Sequence, residues 1–200
     1  VIEAVKSVMS KPLINTYAYL NQPREKYLET LIKFSGYFEK AFLLSAGTEA
    51  TEAALKLMRM NSVRASKDKP GIICFEGNWH GRTMGAQMMS GNYEQKKWIG
   101  YLDPNIHHLP FPYPWVTDEN NGEQFFLESL QAYLDAKKLN LETDICGFML
   151  ETFQGWGAVF YPKSFVQAIR KICNENNILL CFDEMQSGFA RTGKKFGFEH

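Results

Sequence analysis

Apolar positions along this chain fall into two patterns: short unbroken runs, and sets spaced three and four residues apart. The unbroken runs are residues 178–182 (ILLCF), 71–75 (GIICF), 145–150 (ICGFML) and the shorter 41–44 (AFLL). Runs of this length, bounded by polar or glycine signals, predict strands buried on both faces of a parallel sheet. Helical spacing accounts for most of the rest. Val1, Ile2, Val5, Val8 and Met9 recur on one face. After a break at Lys11-Pro12, Tyr27, Leu28, Leu31, Ile32 and Phe34 repeat the pattern to a stop at Gly36, so residues 1–40 read as helical. Residues 51–60 predict a helix with Thr48 as its N-cap, and 84–89 a short helix. Residues 125–138 predict an amphipathic helix, and 164–174 a last one that exits through Asn176-Asn177. Four prolines between Pro104 and Pro114 make 90–122 loop territory without a regular element. The order β-α-β-α-loops-α-β-α-β predicts an α/β fold with a mostly parallel sheet and right-handed crossovers.

Composition narrows the function classes. The 200 residues carry 22 basic and 22 acidic side chains and 45% hydrophobic residues, enough for a real core. The charge is balanced and no basic patch or arm stands out, so nucleic-acid binding has little support. No apolar run approaches a membrane span, and the start lacks the pattern of a secretory signal. Cys74, Cys146, Cys173 and Cys181 show no CxxC or zinc spacing, which predicts reduced thiols in a cytoplasmic protein. His80, His107, His108 and His200 show no ligand spacing either, so no metal is expected. His107 and His108 read as packed or exposed rather than catalytic. The chain opens at Val1 on what looks like mid-helix and ends in GKKFGFEH without a cap, which reads as a fragment.

Candidate chemistry collects where the predicted strands end, and ligands of open α/β sheets sit outside those carboxyl ends. The 41–44 run leads through Ser45, Ala46, Gly47 and Thr48 into a helix N-terminus, an arrangement that presents orphan N–H groups to an anion. The turn lacks both GxGxxG and GxxxxGK[ST], so it is neither a dinucleotide fingerprint nor a P-loop. Past residues 71–75 come Trp79, which could stack on a flat ring, and His80, which could hydrogen-bond or stack. The 178–182 run delivers Asp183-Glu184, with the amide of Gln186 nearby; a solvated loop start after a core strand would look the same. Together these groups suit a flat, phosphorylated, nitrogen-containing ring. Pyridoxal 5'-phosphate is such a ring, and it needs an anion to keep its pyridine nitrogen protonated.

The segments AGTEATEAALKLMR, EGNWHGRTMGA, ETFQGWGAVFYP, FDEMQSGFARTG and FGFEH, in that order, resemble the class III (ω-amino acid) aminotransferases of the type I pyridoxal-phosphate fold. The resemblance implies a three-layer sandwich about a mostly parallel sheet. It implies Gly47 and Thr48 on the phosphate, Trp79 on the pyridine ring with His80 beside it, and Asp183 on the ring nitrogen. It further implies Gln186 on the 3-oxygen and Glu151 lining the site as a catalytic acid. The implied activity is ping-pong transfer of an amino group from an amine or amino acid to a 2-oxo acid, in a homodimer.

Two departures qualify this. Where many members read Glu-Pro-Val-Gln-Gly-Glu-Gly, this chain has Trp156 in place of the second acid, which puts 4-aminobutyrate or ornithine specificity in question. The Schiff-base lysine of the family lies beyond the position of His200, and Lys194 and Lys195 do not match it. The expectation is therefore the central part of the large domain of a chain about twice as long. The N-terminal segment and the small C-terminal domain with its carboxylate-binding arginine would be missing, and the piece alone would be inactive and poorly soluble. Aminomutase, racemase or decarboxylase chemistry on the same fold stays open, as does a non-catalytic scaffold. A strand ending in Asp-Glu also suits a nucleotide hydrolase, against which stands the missing P-loop lysine.

Overall fold

A computed structural model of the chain describes residues 1–11, 20–65 and 69–200. The chain divides into two compact units, Val1–Leu43 and Leu44–His200. The first unit holds helices α1 (Ile2–Met9) and α2 (Gln22–Ser35), as the spacing predicts. Asn21 caps α2, its side-chain oxygen accepting from the Arg24 N–H at 3.2 Å. Gly36 ends it in the left-handed region at φ +71°, where glycine carries no Cβ penalty. Pro12, and with it the break read at Lys11-Pro12, lies outside the described residues.

The second unit is built on a four-stranded parallel sheet in the order β2-β1-β3-β6. Its strands are β1 (Gly71–Phe75), β2 (Ile106–Leu109), β3 (Ile145–Glu151) and β6 (Leu179–Asp183). A separate hairpin pairs β4 (Phe153–Gln154) with β5 (Val159–Phe160). The helices are α3 (Gly47–Arg64), α4 (Met84–Met89), α5 (Gly122–Lys137), the single turn α6 (Leu141–Asp144) and α7 (Lys163–Asn176). One face of the sheet packs Ile73, Phe75, Phe148 and Leu150 against Phe126, Leu130, Phe165 and Ile169 of α5 and α7. The other packs Ile72, Cys74 and Met149 against Leu55 and Met58 of α3 and Met89 of α4. That gives the three layers the resemblance implies.

One irregularity sets the side-chain parity of β3. Gly71 pairs with Ile145 but Ile72 with Gly147, so Cys146 is an extra residue in the ladder. Such a bulge puts two successive residues on one side. Cys146 packs toward α3, and a Cβ at Gly147 would run into the Met58 sulfur on that same side. Glycine is required at the second bulge position, and the shift sends Phe148 and Leu150 into the α5/α7 core.

Four expectations change. Residues 41–44 form no strand: among the described residues no neighbour pairs with them, and an apolar run without a ladder partner is not a strand. The 90–122 stretch contains β2 and a 3₁₀ turn (Glu94–Ile99). Two histidines interrupt the apolar signal of β2, and its strand character comes from pairing with β1. The helix expected at 51–60 starts at Gly47 and runs to Arg64. Its N-cap is Ala46 rather than Thr48, because Ser45 N–H donates to the Glu49 carboxylate at 3.0 Å and fixes the first turn earlier. Finally, β6 pairs with β3 alone, and Leu179 is 39% exposed rather than buried on both faces.

Candidate active site

In a parallel sheet the carboxyl ends of the strands share one edge, so the loops after β1, β3 and β6 meet there. Asp183 ends β6 directly opposite Glu151, the last residue of β3. The Asp183 side chain is 7% exposed. Its Oδ2 lies 3.0 Å from His80 Nδ1, and its Oδ1 accepts the Met185 N–H at 3.1 Å. His80 itself is held by three elements. Its N–H donates to Ser90 Oγ at 2.9 Å, its carbonyl accepts the Thr51 hydroxyl of α3 at 2.7 Å, and its ring has no exposed surface. The sequence places His80 beside a ligand ring, whereas the structure places it behind Asp183, with Nε2 buried and without a hydrogen-bond partner. With Nδ1 protonated, the pair holds Asp183 in one orientation.

The β1 and β3 loops fix each other. Trp79 N–H donates to Glu151 Oε1 at 2.7 Å, Gln154 Nε2–H to the Glu76 carbonyl at 2.7 Å, and Trp156 Nε1–H to the Gly77 carbonyl at 3.1 Å. Glu151 also accepts the Gly155 N–H at 3.1 Å. Burial pushes its carboxyl above the ordinary value, and these two N–H bonds oppose the shift. Trp79 leaves 38% of its surface open, with the Arg82 guanidinium carbon 4.8 Å from its ring centroid. Gln186 lies over Gly155, where any Cβ would collide with its amide. Trp79, Glu151 and Gln186 share the wall of a cavity of about 760 Å³, which Gly47, Thr48, His80 and Asp183 do not line.

Gly47 and Thr48 open α3 beside this edge. The backbone N–H groups of Gly47, Thr48 and Glu49 have no acceptor among the described residues, as expected for a helix start. Gly81, at φ +129°, brings the Trp79–His80 loop against this terminus: a Cβ there would collide with the Thr48 hydroxyl. A Cβ at Gly47 would lie 2.8 Å from the side chain of Met185. Met185 escaped the sequence reading, since an apolar residue past a strand carries no chemical signal. It is 68% exposed and sits between the helix start and Asp183. Glu52 of α3 completes the frame, accepting the Gly85 and Ala86 N–H groups at 2.8 and 3.1 Å and the Thr83 hydroxyl at 2.6 Å.

The second carboxylate of the Asp183-Glu184 pair does different work. Glu184 accepts the Ser187 hydroxyl at 2.6 Å and the Gly197 and Phe198 N–H groups at 2.9 Å each, so it shapes the turn after β6. Lys194 donates to the Glu199 carbonyl at 2.5 Å. Lys96, also missed, is buried, with its ammonium on the carbonyls of Met88 and Ser90 at 2.9 and 2.6 Å and beside His108. All four cysteines are free thiols, and burial holds Cys173 and Cys181 up at about 12.

A parallel sheet with buried carboxylates at its carboxyl edge and an open helix N-terminus beside them is the layout of an α/β enzyme domain that holds a small ligand at its strand ends. The family model for class-III aminotransferases matches residues 1–200. The mitochondrial acetylornithine aminotransferase of Candida glabrata is 35% identical over 96% of this chain and 42% of its own length. An (S)-enantioselective omega-transaminase from Thermomicrobium roseum is 26% identical, with a TM-score of 0.87 over 99% of this chain and 46% of that one. An amine transaminase from an uncultivated Pseudomonas species, solved in its PLP-bound form, shares the fold at 22% identity and TM-score 0.85, over 98% of this chain and 46% of that one. The chain belongs to the class-III aminotransferase family. It spans less than half the length of curated relatives that it matches.

Proposed function

We propose that the intact protein moves an amino group from an amine or amino acid to a 2-oxo acid by a ping-pong mechanism, with pyridoxal 5'-phosphate as cofactor. The observation that carries this is the buried Asp183 carboxylate at the end of β6, with Oδ2 3.0 Å from His80 Nδ1 and Oδ1 accepting the Met185 N–H at 3.1 Å. The donor set fits the cofactor. The unpaired N–H groups of Gly47 and Thr48, with the Thr48 hydroxyl, suit a phosphate at the positive end of an 18-residue helix. Gly81 leaves room for the loop to close on that terminus. The open face of Trp79 suits an aromatic ring, and the Gln186 amide suits the ring oxygen. When bound, the cofactor supplies an electron sink for the bond breaking at the donor carbon.

The roles of the chain's own residues follow from their environments. Asp183 keeps a proton at the pyridine nitrogen, because an anion and a cation stabilise each other at low dielectric. His80 holds Asp183 in place by donating from Nδ1. Glu151 anchors Trp79 through the Trp79 N–H and, with its carboxyl pushed up by burial, faces the cavity as a candidate acid. The chain spans 42% of the length of the Candida glabrata relative, and we read it as the central part of the large domain, with the lysine that carries the cofactor outside these 200 residues. We further read the intact protein as a homodimer, as the family resemblance implies, and its setting as reducing and cytoplasmic, in keeping with its free thiols. The Candida glabrata relative is by name mitochondrial. Among the described residues no helix is long and apolar enough to cross a membrane.

The test is a pair of half-reactions on intact protein loaded with the cofactor. An amine donor alone should convert one equivalent to its oxo product, and a 2-oxo acid added afterwards should recover one equivalent of amino acid. Loss of carbon dioxide, or migration of the amino group within the donor, would show a different reaction on the same fold.

A further inference from the structure

Lys96 lies outside the candidate site, yet its contacts lead into it. It belongs to the 3₁₀ turn Glu94–Ile99 and is 4% exposed, whereas its neighbour Lys97 stays at the surface and pairs with Glu94. The Lys96 ammonium donates to the Met88 and Ser90 carbonyls at 2.9 and 2.6 Å, and lies 3.2 Å from His108 Nε2. Those carbonyls belong to the C-terminal end of α4, where the helix leaves acceptors without an internal partner. Gln87 of α4 ties the same turn down, donating to the Gln95 carbonyl at 2.8 Å. Burying a cation carries a desolvation cost that an apolar side chain of similar length would avoid. Packing alone therefore does not call for a lysine here.

What the ammonium holds is the Ser90-Gly91 segment. Ser90 Oγ accepts the His80 N–H at 2.9 Å, and the Gly91 N–H donates to the Asn78 carbonyl at 2.7 Å. These two bonds grip the chain on either side of Trp79. The approach is close, since a Cβ at Gly91 would collide with the Phe75 carbonyl oxygen and the Gly77 nitrogen. Beyond the grip, His80 Nδ1 lies 3.0 Å from Asp183 Oδ2. Lys96, Ser90, His80 and Asp183 thus form one series of contacts through groups that solvent hardly reaches. A buried polar network of this kind rigidifies what it joins. Resting on the aminotransferase reading, we propose that Lys96 is a positioning residue for the cofactor ring: by clamping the end of α4 it fixes Ser90-Gly91, and through them the Trp79 platform and the His80-oriented Asp183 carboxylate.

The test uses intact protein and pyridoxal 5'-phosphate labelled with ¹⁵N in the ring. Absorbance titration gives the cofactor affinity, and the ¹⁵N resonance reports the proton and hydrogen bond at the ring nitrogen. Lys96→Met removes the ammonium at similar length. Ser90→Ala removes the acceptor of the His80 N–H but keeps the carbonyl that Lys96 holds. Each should weaken affinity about tenfold, the size usual for residues that orient a site's own ligands, and move the ¹⁵N resonance. The double variant should lose no more than the weaker-binding single variant, because both cut the same series. Lys96→Gln, which keeps one donor group, should lose less than Lys96→Met and stands in for it where that variant does not fold. Circular dichroism and urea unfolding report folding and stability separately. Reduced stability with wild-type affinity and an unmoved ¹⁵N resonance, in a folded Lys96 variant or in Ser90→Ala, would overturn the inference while the aminotransferase reading stood. So would losses that multiply in the double variant. A folded wild type that takes up no cofactor would overturn both.

Discussion

His108 offers a stability prediction whose size can be worked out. It lies in β2 on the α4 side of the sheet, its Nε2 3.1 Å from the carbonyl oxygens of Met89 and Ser90 and 3.2 Å from Lys96 Nζ. Burial, reinforced by the Lys96 ammonium, holds its imidazole down at about 4 against an ordinary 6.5. A protonated ring would set a second positive charge against Lys96. In the unfolded chain the residue takes its proton near the ordinary value, so between pH 6.5 and about 4 the unfolded state binds more protons. The stabilisation present above 6.5 is therefore lost progressively as pH falls toward about 4. At about 1.4 kcal/mol per pH unit this amounts to about 3 kcal/mol. His108→Gln stays neutral throughout and can still meet Lys96 or the two carbonyls. Urea unfolding of intact wild type and variant from pH 8 to 4 should show the variant gaining about 3 kcal/mol on the wild type across that window. Parallel pH profiles would refute the reasoning.

Two further substitutions probe the frame of the site. Tyr161→Phe breaks the buried exchange in which Asn78 donates to Tyr161 Oη at 2.8 Å and the tyrosine hydroxyl donates back at 3.1 Å. It should cost about 1–3 kcal/mol in denaturant unfolding, because Asn78 is left buried without its partner. Gly81→Ala forces a Cβ onto the Thr48 hydroxyl at φ +129°. It should cost about 1–3 kcal/mol in a thermal melt and lower cofactor retention, since the clash opens the α3 terminus. Wild-type retention of cofactor in a folded Gly81→Ala protein would contradict the phosphate site.

Much of the layering was legible because β1 and β3 are unbroken apolar runs, and such runs mark strands covered on both faces. The same signal misled at 41–44, where AFLL reads like a short strand but finds no ladder to join. It also failed at Ile106–Leu109, where the pairing with β1 makes a strand that His107 and His108 conceal. Boundaries moved for local reasons, as at α3, where the Ser45–Glu49 contact starts the helix before the Thr48 cap. Residue types marked Asp183, Trp79 and the α3 start as candidates, and the sheet and the Gly81–Thr48 contact bring their segments to one edge. What sequence could not show was direction. His80 turns inward to Asp183 instead of outward to a ligand, and Glu184 turns away from its neighbour to hold the Gly197 and Phe198 amides. Both depend on which loops the parallel sheet brings together.

The central claim is that Asp183 at the end of β6, oriented by His80, holds the cofactor's ring nitrogen. The most direct measurement is the absorbance spectrum of the intact protein titrated with pyridoxal 5'-phosphate, for wild type and for Asp183→Asn, with circular dichroism to confirm that both are folded. The account predicts a bound-cofactor band in the wild type, displaced from that of the free compound. In a folded Asp183→Asn variant that band should be lost or its titration strongly weakened. An Asp183→Asn spectrum and titration matching the wild type would contradict it.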